Sequence, residues 1–248
     1  MNKHKKYDAS SIEVLEGLEP VRRRPGMYIG GTDNASMHHL FSEVIDNAMD
    51  EAVANFASFI EVKVETDNTI SIYDNGRGIP IDPHPNFPNK SALEVIMTTL
   101  HAGGKFSNKV YQTSGGLHGV GISVVNALSE FVDVEVYRDK KIYNQKFSKG
   151  HPTSKLKEIK KKTNKKGTKI SFKPDPEIFG SDNYFNYNKL YDFSKSKAYL
   201  FAGVEIRWFC DSEISKKENI PENDVFRFSQ GLIDLVQNEV DEKMSLLS

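Results

Sequence analysis

His39, Glu43, Asn47 and Asp50 recur at intervals of four, four and three residues. On a helix each step of four advances about 40°, so these side chains share one face. Phe41, Val44, Ile45, Ala48 and Ala52 form an apolar stripe on the opposite side. From Met37 to Val62 there is no Lys or Arg, so Glu43, Asp46, Asp50 and Glu51 repel one another with no cation in the segment. A solvated polar face is the ordinary fate of such positions, but it normally mixes signs to gain i, i+4 pairing. Positive charge must come from elsewhere, either a divalent metal or arginines of another segment. Asn47 makes the metal reading specific. Magnesium keeps several waters and takes one or two protein oxygens beside substrate phosphates, which one amide oxygen suits. Glu43, one turn earlier, is placed to hold a water near the same phosphate. His39, a further turn back, is placed to orient Glu43, although a structural histidine is the default for such a residue alone.

Two other segments complete a possible site. Gly115-Gly116-Leu117-His118-Gly119-Val120-Gly121 precedes the apolar stretch Ile122–Leu128. Glycines let backbone N–H groups approach an anion, and a helix N-terminus adds positive potential. The spacing is not that of a dinucleotide-binding fingerprint. It is not a P-loop either, because Lys105 in Gly103-Gly104-Lys105-Phe106 is followed by Phe. Lys105 is a candidate to reach terminal phosphates from a mobile lid over Ala102–His118. Asp74, in Asp74-Asn75-Gly76-Arg77-Gly78-Ile79-Pro80, ends a strand. It either starts a turn or accepts a hydrogen bond from the exocyclic amine of adenine. Guanine presents a carbonyl there, and a site built on such a bond discriminates by up to ~10⁴-fold.

The elements that must hold these residues follow from periodicity. A short helical stretch is expected over Ser11–Leu18, then a loop over Pro25–Gly31, then the strongest helix signal, Ser36–Phe56. Alternation predicts strands at Ile60–Glu65, Ile70–Tyr73 and Val132–Val136, with others at Lys141–Phe147, Lys169–Phe172, Val204–Cys210 and Val225–Phe228. Helices are expected at Ala92–Leu100, Ile122–Leu128, Tyr187–Phe201 and from Gly231. The fold class expected is α+β, a two-layer sandwich of helices on a mostly antiparallel mixed sheet. One domain is expected over residues 1–236, with an arm at 1–20 and a lid at 102–118, and 237–248 as a C-terminal end.

Bulk composition narrows the classes. With 33 Lys+Arg against 34 Asp+Glu, the net charge of -1 argues against a dedicated nucleic-acid surface. The lysine-rich stretch Leu156–Lys166 reads as a solvated turn or strand edge. The single Cys210 excludes an internal disulfide framework and reads as core filler. No window approaches the ~18 apolar residues needed to span a bilayer, and Met1–Lys6 lacks a signal peptide's apolar stretch, so a soluble cytoplasmic chain without a membrane partner is expected.

Taken together, Glu43-Val44-Ile45-Asp46-Asn47, Asp74-Asn75-Gly76-Arg77-Gly78 and Gly115–Gly121 resemble the ATPase family shared by gyrase, the Hsp90 chaperone, histidine kinases and MutL. Val21-Arg22-Arg23-Arg24-Pro25-Gly26-Met27-Tyr28-Ile29-Gly30 and Leu100–Phe106 resemble the B subunits of bacterial type IIA topoisomerases, from Tyr7 to about Leu235. Gly17–Arg24, Phe106–Lys109 and Ala202–Ile206 look more like the topoisomerase IV group than the gyrase group. The resemblance implies the Bergerat ATPase fold, ATP and Mg2+ as cofactors, Glu43 as general base assisted by His39 and Lys105, and Asn47 as the magnesium ligand. Asp74 would bind adenine with Thr168 sharing a water, and Arg77 would pair with Glu51 and lie under the adenine with Pro80. Asp50, Gly78, Ile79 and Ile96 belong to the same nucleotide-binding set. Lys105, Tyr111, Gly103, Gly104, Gly115, Gly116, Leu117, His118, Gly119, Val120 and Gly121 would hold the phosphates. Tyr7 and Ile12 match an arm that reaches into the site of a partner protomer, and Arg138 matches the pocket mouth where aminocoumarin-type inhibitors bind.

The partners implied are an A-type topoisomerase subunit that carries DNA cleavage, duplex DNA held mostly by regions outside this chain, and a second copy in an ATP-dependent homodimer. The family continues into a second domain that supplies a lysine to the γ-phosphate, and the chain stops at Ser248. A fragment is therefore expected, with weak dimerisation and slow turnover but intact nucleotide binding. The rival expectations are a gyrase B domain, a nucleotide-gated dimerisation module with little catalysis, and an Hsp90-like chaperone ATPase.

Overall fold

The computed structural model describes residues 14–102 and 121–245. Nine strands form one sheet in the order β11-β10-β1-β2-β9-β5-β6-β7, with β8 (Lys157–Ile159) pairing β6 beside β7. The central strands are β1 (Phe59–Val64), β2 (Ile70–Asp74), β9 (Gly167–Pro174), β5 (Ser129–Arg138) and β6 (Lys141–Ser148). They pair antiparallel, while β10 (Glu205–Cys210) runs parallel to β1, so the mostly antiparallel mixed sheet is as expected. β7 is His151–Pro152 and β11 is Asn223–Phe226. A separate hairpin joins β3 (Pro83–His84) to β4 (Phe87–Ser91).

The site rests on α3, Asn34–Val53. Asp33 caps it by accepting the N–H of Ser36 at 2.8 Å, satisfying one orphan donor of the first turn. Met37, Leu40, Phe41, Val44, Ile45, Ala48, Met49 and Ala52 are buried, so the apolar stripe packs onto the sheet. Ser91 caps α4 (Ala92–Thr98) through the N–H of Glu94. With α5 (Gly121–Ala127) and α7 (Tyr187–Leu200), these helices enclose the main core against β1, β2, β5, β9 and β10. Trp208, Phe41, Phe147 and Phe172 are its largest fully buried side chains. Tyr73, Tyr137 and Ile142, with Phe59 against them, form a second small cluster. Each of Tyr73, Tyr137 and Phe59 neighbours a core residue along its strand, so strand alternation puts this cluster on the other face of the sheet.

Several expectations are corrected. The described part of the Ser11–Leu18 stretch is not helical; the helix is α1, Glu19–Arg23, with Pro20 in its first turn. The Pro25–Gly31 loop contains a short helix, α2 (Gly26–Ile29), ended by Gly30 at φ 85°. Proline inside a first turn has no N–H to lose, so Pro20 and Pro25 start turns instead of breaking them. Cys210 is half-buried at the end of β10, packing against the main core from its edge. The helices α6 (Pro176–Phe179) and α8 (Ser212–Glu218) have no counterpart among the expected elements; α9 spans Leu232–Ser245. Leu156–Lys166 does form an exposed edge, with β8 within it. No helix among the described residues is long and apolar enough to cross a membrane.

Candidate active site

A cavity of about 810 Å³ opens between α3, the end of β2, the 75–80 loop and the start of α5. Glu43, Asn47, Asp50 and Glu51 line one wall, as the helical spacing requires. Asp74, Arg77, Gly78, Ile79, Pro80 and Thr168 line another, and Ile96, Gly121 and Arg138 complete the enclosure. His39 is absent from the walls of this cavity. It lies exposed on α3, one turn before Glu43. Tyr7, Ile12, Gly103, Gly104, Lys105, Tyr111 and the run Gly115, Gly116, Leu117, His118, Gly119, Val120 lie outside the described residues.

Part of the missing positive charge is supplied by other segments. Lys197 of α7 meets Asp46 at 2.6 Å, both side chains mostly buried. Arg77 grips Glu51 as a fork: Nη2 donates to Oε1 at 2.6 Å, Nε to Oε2 at 3.1 Å, and the Arg77 backbone N–H to Oε2 at 2.9 Å. Its guanidinium stacks over Phe56 at 3.7 Å. A planar fork suits a carboxylate and fixes the loop's course more than it stabilises the fold, since Arg77 is over a third exposed. Glu43 and Asp50 face the cavity. Among the described residues no cluster of three or more His, Cys, Asp or Glu could hold a metal. Asn47 presents one amide oxygen in this lining, a donor type that suits magnesium held otherwise by water and substrate phosphate.

The other end of the cavity is built around Asp74, which is 6% exposed. The Gly76 N–H donates to Asp74 Oδ1 at 2.8 Å. A side chain at Gly76 would put Cβ 2.7 Å from both Asp74 Oδ1 and Glu51 Oε2, so only glycine lets the turn close there. Burial pushes the Asp74 carboxyl up to about 7; the Glu51 charge adds to this, while the Gly76 and Thr168 backbone N–H groups oppose it. Asp74 lines the cavity beside Ile72, Ile79 and Ile170, which makes its carboxyl a buried acceptor for an amine donor. Thr168 pairs with Asp74 across the strands, and its Oγ1 accepts the Ile79 N–H at 3.0 Å. Arg138 Nη1 donates to the Gly78 carbonyl at 2.8 Å, bracing the mouth of the cavity.

Sequence reasoning missed Phe56, Asn75, Gly76, Tyr137, Asp139 and Lys166 in the lining. Gly76 was findable, because it lies inside the Asp74–Gly78 motif. Phe56 follows the end of α3 and carries no signal except proximity to an acidic helix. Asp139 and Lys166 arrive through strand pairing, which no local pattern shows.

A sheet backed by an acidic helix, with a buried aspartate at a strand end and a glycine-led helix closing the cavity, defines a nucleotide-binding ATPase class. Residues 32–178 match the family model described as "Histidine kinase-, DNA gyrase B-, and HSP90-like ATPase", and the chain belongs to that family. It is 58% identical over 96% of its length to the DNA topoisomerase 4 B-chain of Bartonella bacilliformis, and 58% identical over 93% to that of Caulobacter vibrioides. Identity to the DNA gyrase B-chain of Thermotoga maritima is 48% over 94% of the chain. The chain spans 34%, 33% and 35% of these three relatives, about a third of their length. Among solved structures, the 43K ATPase domain of Thermus thermophilus gyrase B, in complex with an aminocoumarin, superposes with a TM-score of 0.76 at 40% identity, covering 89% of this chain and 54% of that one.

Proposed function

We propose that residues 1–236 form the MgATP-binding and hydrolysing domain of a type IIA topoisomerase of the topoisomerase IV kind, in its B-type component. The observation that carries this is the placement of Glu43, Asn47 and Asp74 around one cavity, two on the acidic helix and one at the buried strand end. The higher identity to topoisomerase 4 than to gyrase relatives supports the finer assignment.

Adenine enters the Asp74 end and donates its exocyclic amine to the carboxylate. The triphosphate runs toward Asn47 and the start of α5. Asn47 would hold magnesium, which offsets charge on the phosphates when bound. Glu43 orients a water and accepts its proton as the oxygen attacks the γ-phosphorus; the bond to the bridging oxygen breaks, and ADP and phosphate leave. Lys105 and the glycines Gly115–Gly121 would cover the phosphates. In the complete enzyme this cycle would drive an ATP-dependent homodimer that opens and closes on duplex DNA, with cleavage performed by the A-type subunit. The aminocoumarin on the Thermus relative supports inhibitor binding near Arg138.

Titration with a nonhydrolysable ATP analogue tests the reading. The wild-type chain should bind in the presence of magnesium. Asp74→Asn should bind roughly 10- to 100-fold more weakly, the range for losing a hydrogen bond to a charged group. Equal affinity in both would remove the adenine role from Asp74.

A further inference from the structure

Tyr73 sits between Ile72 and Asp74, which both line the cavity, so its ring leaves from the opposite face of β2. There it packs edge-on against Tyr137 at 5.7 Å, and its hydroxyl donates to the Lys166 carbonyl at 2.8 Å. Lys165 Nζ lies over the same two rings, 5.2 Å from Tyr73 and 5.8 Å from Tyr137. These contacts tie down the chain just before β9. The next residue, Gly167, has φ +106° and passes so close to β2 that a Cβ would fall 1.9 Å from the Asp74 carbonyl oxygen. Its own carbonyl lies against Gly78, where an added Cβ would meet it at 3.0 Å. Thr168 follows, paired with Asp74 across the strands, and its hydroxyl accepts the Ile79 N–H.

We infer that Tyr73 is a positioning residue for the adenine end of the cavity, acting from outside it through the strap Lys165–Thr168. The inference rests on the adenine reading of Asp74. The Tyr73 hydroxyl fixes the Lys166 carbonyl, which sets where Gly167 crosses β2. That crossing sets the register of Thr168 against Asp74 and holds its hydroxyl on the Ile79 N–H. Without the hydroxyl the strap shifts outward, and the acceptor geometry offered to the base loosens while the Glu43 end stays as it is.

The test compares wild type, Tyr73→Phe and Tyr191→Phe by analogue titration and by steady-state ATP hydrolysis. Tyr73→Phe keeps the ring and should weaken analogue binding about 3- to 10-fold, raise KM similarly and leave kcat unchanged. Tyr191→Phe loses a hydroxyl bond to Asp224 far from the cavity and should leave affinity unchanged even where it lowers the unfolding midpoint. Wild-type affinity in Tyr73→Phe overturns the inference, as does an equal loss in Tyr191→Phe, which would mark general destabilisation. A wild-type chain that binds no analogue overturns the adenine reading itself, and this inference with it.

Discussion

Gly121 and Glu43 are in such close register that a Cβ on Gly121 would stand 1.9 Å from Glu43 Oε2 and 2.9 Å from its Cδ. The helix that closes the cavity therefore starts against the carboxylate proposed to activate water. The obstacle is the far end of a flexible side chain, so Gly121→Ala should fold. Its cost should appear as a displaced Glu43: kcat falling at least ~10-fold, with the unfolding midpoint within the ordinary range of single substitutions. Unchanged turnover in Gly121→Ala would show that Glu43 works from another position.

Asn47 is the one neutral oxygen donor on the acidic wall of α3. Asn47→Ala should weaken analogue binding in magnesium and leave the weaker metal-free binding nearly untouched. Titrations with magnesium and with EDTA check this. Equal affinity of variant and wild type under both conditions would refute the ligand assignment.

Asp74 links the cavity to stability. Its carboxyl titrates near 7 in the fold and near 3.8 when exposed, so the unfolded chain releases its proton first as pH rises. The unliganded fold holds this contribution fully below about pH 3.8 and loses it as pH rises to about 7. Asp74→Asn has no such loss. Urea midpoints at pH 5.5 and pH 8 should show the variant gaining on wild type at the higher pH, by about 2 kcal/mol. A pH-independent difference would show that Asp74 ionises normally.

Lys197 bridges α7 to α3 through Asp46, with 15% and 18% of the two side chains exposed. Lys197→Met leaves Asp46 on a helix that has no cation of its own. The expected loss is about 1–2 kcal/mol, between exposed and fully buried pairs. Thermal or urea unfolding measures it, and a neutral result would mean that solvent already screens the pair.

How far these features were readable follows from the range of the interactions behind them. The acidic wall of the cavity was legible because Glu43, Asn47 and Asp50 obey the helical period, a local property. Asp74 was legible because an abrupt Gly-rich break follows an apolar strand. The short helices α1 and α2 were hidden because Pro20 and Pro25 start turns as readily as they break them. The placement of β10 beside β1 brings together residues ~146 apart, and the Lys197–Asp46 pair depends on that same packing. Tyr73 was invisible as a site residue because its role passes through a strap on the other face of the sheet.

The central claim is that Glu43 activates water on a nucleotide bound in this cavity. Phosphate release by wild type and Glu43→Ala, measured beside analogue affinity, tests it most directly. Hydrolysis should fall by ~10²–10⁴ with affinity preserved. Turnover at the wild-type rate in Glu43→Ala would contradict the account.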